Sequence, residues 1–93
     1  MLKEVTKTQE DSDVLEAIEN SYQVVLYNDE VNTFDWVIEC LVEICGHDAL
    51  QAEQCAMLVH FKGKAIVKSG ELTEMQDICT ALCDRDLSAV VES

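Results

Sequence analysis

Proline is absent from this 93-residue chain, glycine occurs three times, and only six basic residues stand against nineteen acidic ones. The glycines fall where turns are expected, so little punctuation divides the chain, and its length fits one domain. The shortage of lysine and arginine argues against nucleic acid as a partner, because phosphate contacts need cations. It argues against an anionic membrane surface for the same reason. No apolar run is long enough to span a bilayer. Residues 1–20 have neither a long apolar core nor a basic lead, which speaks against a secretion signal, and a cytoplasmic location is expected. Low-complexity tracts and internal repeats are lacking.

What is present points to a small folded domain. The apolar fraction is 48%, enough for a core of modest size, and the formal charge of −13 favours a basic protein or a cationic ligand. Five cysteines, Cys40, Cys45, Cys55, Cys79 and Cys83, form no disulfide framework of even count. They fall on or near helical apolar faces, where a free thiol behaves as a small hydrophobe, and reduced thiols are expected.

Residues 1–20 read as a flexible acidic arm, with Val14, Leu15 and Ile18 as a weak apolar cluster, and residues 21–93 as the core domain. Tyr22 to Tyr27 is rich in β-branched and aromatic residues and predicts a strand. Asn28-Asp29-Glu30 ends it, since Asn and Asp side chains favour turns. Thr33 is a plausible N-cap, and Phe34, Val37, Ile38, Leu41, Ile44 and Cys45 then recur at helical steps until Gly46. Asp48 with Gln51 resembles a capping box that opens a second helix, which His60 closes and Gly63 ends. A short loop between the two predicts a helical hairpin. Lys64 to Lys68 is a short strand and Ser69-Gly70 a turn. A third helix follows from Glu71, with Leu72, Met75, Cys79 and Leu82 on one face. Asp84-Arg85-Asp86 turns, and Leu87 to Val91 is a last strand. The order β-α-α-β-α-β predicts an α+β, two-layer sandwich: a small three-stranded antiparallel sheet with three helices on one face.

A strand that stops at an Asn-Asp-Glu turn beside a helix leaves polar groups next to apolar ones, the layout of a small binding pocket. With Asn28-Asp29 at its start and His60 at its close, this stretch is expected to bind a positively charged, apolar-tipped ligand. Locally, each of these residues also has a plain role, as a solvated turn or a helix-end donor. A metal site built from His47, His60, Cys45 and Asp48 matches no standard zinc spacing, and no cysteine has a recognisable nucleophile setting. No metal, cofactor or catalysis is expected.

Three segments together resemble the ClpS family of adaptors: Tyr22-x-Val-Val-Leu-x-Asn28-Asp29, Phe34-x-Trp36-Val37-Ile38, and Val59-His60-Phe61-x-Gly63-Lys64-Ala65. The likeness runs from Tyr22 to about Glu92. It implies a monomeric adaptor that delivers proteins to a ClpA-type unfoldase and recognises an N-terminal Leu, Phe, Tyr or Trp. It also implies that Asn28, Asp29 and His60 hold the free α-amino group, and that Val37, Val59 and Leu87 line a side-chain pocket. Asn32, Phe34 and Ala56 occupy pocket positions where the family usually has threonine, a gating methionine and a larger residue. Glu30 replaces a more usual second aspartate. The rival expectation is an interaction module of the same fold with the pocket closed by the altered gate.

Overall fold

The strand expected at the start of the core forms from Tyr22 to Tyr27 (β1) and is the centre of a three-stranded antiparallel sheet. This computed structural model of the chain describes residues 21–93; the acidic arm expected over residues 1–20 lies outside the described residues. After β1 come helix α1 (Phe34–Cys45), helix α2 (Ala49–Lys62), strand β2 (Lys64–Gly70), helix α3 (Leu72–Asp84) and strand β3 (Ser88–Glu92). The sheet order is β2-β1-β3. The β-α-α-β-α-β order and the single antiparallel sheet are those expected.

Each helix boundary has a local cause. Thr33 Oγ1 accepts from the Trp36 N–H at 3.1 Å and opens α1, while Gly46 closes it in the left-handed region at φ 72°. Asp48 Oδ1 accepts from the Gln51 N–H at 2.8 Å and opens α2. That helix does not end at His60. It runs to Lys62 and stops at Gly63, φ 93°, because the side chain able to end a helix in this conformation is the missing one. Lys68 Nζ donates to the Cys45 carbonyl at 3.2 Å and places a cation at the C-terminal end of α1.

Val24, Leu26, Ala65, Val67 and Ala89 are buried under the helices together with Cys40, Leu41, Met75 and Leu82. Burial of each large aliphatic side chain contributes about 1.5–3 kcal/mol. On the other sheet face Ile66 is 52% exposed and Val90 42% exposed, so the three helices share one face. The pairing register slips between Val24, which faces Lys68, and Val25, which faces Ile66, so Val67 is the extra residue of β2. His47, in the α1–α2 loop, has Nε2 2.7 Å from the Val67 carbonyl at that irregularity and fastens the loop to the sheet.

Two further expectations need correction. Ser69 and Gly70 do not turn: they continue β2, paired with Gln23 and Tyr22. The full length of β1 supplies partners for them, which overrides the local turn preference of Ser-Gly. Leu87 precedes β3 and does not belong to it. No helix among the described residues is long and apolar enough to cross a membrane.

Candidate functional site

The site is assembled at the end of β1. The Asn28 N–H donates to the Gly63 carbonyl at 2.9 Å, which brings the strand end against the last turn of α2, where His60 stands. The chain then reverses around one carboxylate. Asp29 Oδ1 accepts from the backbone N–H groups of Val31 at 3.0 Å and Asn32 at 2.9 Å. Asn32 Nδ2 lies 3.1 and 3.0 Å from the two Asp29 oxygens, and Ser88 Oγ donates to Oδ2 at 3.3 Å. Burial works to raise the Asp29 carboxyl, but the hydrogen bonds from Asn32, Val31 and Ser88 outweigh it and hold it below the ordinary aspartate range.

The same turn is bolted to the α3–β3 connection. Asn32 Nδ2 donates to the Asp86 carbonyl at 2.8 Å, and Trp36 Nε1 to the Arg85 carbonyl at 3.2 Å. Asp86 takes a positive φ of 69°, which aspartate tolerates better than most residues. Arg85 lies over the Trp36 ring at 5.9 Å and pairs with Glu43 at 3.0 Å. These contacts set where Leu87 enters the core.

Between the β1–α1 turn, α1 and α2 opens a cavity of about 780 Å³. Its wall includes Asn28, Asp29, Glu30 and His60 together with Asn32, Phe34, Val37, Ala56 and Val59. Eight of the nine residues singled out in the sequence therefore line one space. Leu87 does not: it borders an adjoining recess of about 20 Å³ shared with Asn28, Asp29, Asn32, Val37 and Val59. It backs the pocket wall from beneath, 4% exposed. Phe34 is 39% exposed at the rim, and the pocket is open beside it. Ala56 is buried and small, so it leaves width on the α2 side.

Among the described lining residues, Glu53, Met57 and Phe61 escaped the sequence reading of the site, and Glu30, read there as part of the turn but given no role, also lines the cavity. Glu53, Ala56, Met57 and His60 stand three and four residues apart and form one stripe of α2, a pattern that could have been read once His60 was placed. Phe61 packs edge-on against the His60 ring, with centroids 4.8 Å apart. The Asp29 oxygens are already occupied by turn donors, whereas the Glu30 carboxylate and the Asn28 amide have no hydrogen-bond partner among the described residues. His47 and His60 lie near opposite ends of α2, on the order of 17 Å apart along its axis. That separation rules out a joint metal site for the two.

A family model for the ATP-dependent Clp protease adaptor protein ClpS matches residues 17–89. The ATP-dependent Clp protease adapter protein ClpS of Hydrogenovibrio crunogenus is 40% identical over 57 residues, 59% of this chain and 55% of that protein. Its counterpart from Nocardia farcinica is 30% identical over 65 residues, 70% of this chain and 61% of that protein. The chain spans about half the length of the curated relatives it matches. Agrobacterium tumefaciens ClpS2, solved bound to L-phenylalaninamide, has a similar fold: TM-score 0.74, 20% identity, 80% of this chain and 96% of that one.

Proposed function

The chain belongs to the ClpS family, and from that premise we propose that it is an adaptor for a Clp protease. In this reading it binds proteins that begin with a bulky hydrophobic residue and delivers them to a ClpA-type AAA+ unfoldase. Asn28, Glu30 and His60 offer an amide oxygen, a carboxylate and an imidazole nitrogen in the wall of the cavity, and Asp29 adds its charge from within the turn. An N-terminal ammonium has three hydrogens to give to such a set, and each charge-assisted bond contributes about 1.5–3 kcal/mol. Phe34, Val37, Ala56 and Val59 receive the first side chain, whose burial contributes about the same. Two modest terms that act together explain a demand for both a free amine and a bulky first residue. The observation that carries this reading is the joint presence of free acceptors and apolar wall in one open cavity.

An acetylated amine carries no charge and would leave the carboxylates unmatched in a partly dry site. The formal charge of −13 draws in cationic chain ends, with an encounter rate that falls as salt rises. The core domain, residues 21–93, holds the whole peptide site, and residues 1–20 serve as an arm acting at delivery. Fluorescence titration with peptides beginning in Leu, Phe, Trp, Val and acetyl-Phe tests the reading. Saturable binding by the free-amine bulky peptides alone is expected; equal binding of free and acetylated peptides would overturn it.

A further inference from the structure

Among the described residues the cavity is lined by three carboxylates, Asp29, Glu30 and Glu53, and by no lysine or arginine. Asp29 is taken up by its turn, and Glu30 stands with the amine acceptors. Glu53 is the carboxylate left without a role. It occupies the same α2 stripe as Ala56 and His60 but lies two turns before His60, about 10 Å along the helix axis. In the amine-binding reading, a first residue held by its ammonium beside His60 can lay its side chain along this stripe, past Ala56. The α-nitrogen of an extended tyrosine is roughly 7 Å from its hydroxyl by ordinary bond lengths. A hydrogen bond adds about 3 Å. That reach matches the spacing from His60 to Glu53, and the small Ala56 between them leaves room for a ring. Glu53 has no hydrogen bond or ion pair with any other described residue.

We propose that Glu53 is a specificity-determining residue that accepts a hydrogen bond from the far end of the first side chain, so that the pocket prefers tyrosine over phenylalanine. The assignment rests on the amine-binding reading above. Phenylalanine fills the same walls but turns an apolar ring edge toward a carboxylate that must stay hydrated. Tyrosine satisfies one Glu53 oxygen at the same burial.

The test is the ratio of affinities for two peptides that differ only in a first Tyr or Phe, measured on the full chain and on Glu53→Leu. Glu53 is exposed on a helix, and circular dichroism checks that the variant keeps its fold. The wild-type chain is expected to bind the Tyr peptide about threefold to tenfold more tightly than the Phe peptide. Glu53→Leu should bring the ratio to one or below by weakening Tyr binding while Phe binding holds or improves. A wild-type preference for Phe, or a Tyr preference that survives in Glu53→Leu, would overturn the assignment while leaving the amine site intact. A Lys-initiated peptide that outcompetes the Tyr peptide would also overturn it, since the carboxylate would then be selecting charge. If neither Tyr nor Phe peptide binds, the amine-binding reading falls, and this assignment with it.

Discussion

Asn32→Ala tests the turn that shapes the cavity. The Asn32 amide nitrogen has two hydrogens to give. One is shared across the Asp29 oxygens at 3.1 and 3.0 Å, and the other goes to the Asp86 carbonyl at 2.8 Å. A bond to a charged group contributes about 1.5–3 kcal/mol and a neutral one about 0.5–1.5 kcal/mol. Both are partly hydrated here, which pulls each toward its lower bound. Asp29 keeps the Val31 and Asn32 backbone N–H groups and the Ser88 hydroxyl in the variant, so its charge is not orphaned. The expected net loss is about 2 kcal/mol, the sum of the two lower bounds. For a domain of this size that lowers Tm by about 8–16 °C. Urea titration gives the free energy and scanning calorimetry the Tm. Asn32→Thr retains a hydroxyl for Asp29 but is too short for Asp86, and should lose roughly half as much. A loss below about 0.5 kcal/mol for Asn32→Ala, the level of an ordinary surface change, would mean that this amide does not hold the turn.

Acid stability carries a second signature. Asp29 has a folded-state pKa below its ordinary value, so its stabilisation is present above about pH 4 and is lost as pH falls through the folded value. Asp29→Asn should lack that part of the acid slope; superimposable pH–stability curves for variant and wild type would contradict it. Burial pushes the Cys45 thiol up to about 11, so under native conditions it should react last with a thiol reagent, and the exposed Cys83 first. Time-resolved mass spectrometry reads the order, and early labelling of Cys45 would count against the packing described. Phe34→Ala should change the ranking of first residues in peptide binding, and an unaltered ranking would leave Phe34 as mere rim. Removing residues 1–18 should leave peptide affinity intact but impair delivery to the unfoldase, so undiminished delivery would dismiss the arm.

Much of this was legible because its causes are local. Thr33, Gly46, Asp48 and Gly63 mark helix ends through their own hydrogen bonds or φ values, and Tyr22 to Tyr27 declares a strand by composition. The cavity residues from Asn28 to Val37 and from Ala56 to His60 lie in two short segments, and the Asn28–Gly63 hydrogen bond joins them. What stayed hidden depends on contacts between distant segments. Nothing near Asn32 says that its amide reaches Asp86, fifty-four residues away. The bonds of Asp29 to Val31 and Asn32 are local, but nothing near it says that Ser88, fifty-nine residues away, also donates to it. Ser69-Gly70 reads as a turn until β1 is seen to offer it partners, and Leu87 is displaced beneath the pocket by the anchoring of Arg85 and Asp86.

A crystal structure of the chain with a Phe-initiated peptide bound decides whether the cavity grips a chain start. The account predicts the peptide ammonium within about 3 Å of acceptors on Asn28, Glu30 or His60, with the phenyl ring against Val37, Ala56 and Val59. A peptide seated elsewhere, or one whose amine points to solvent while its ring fills the cavity, would contradict it.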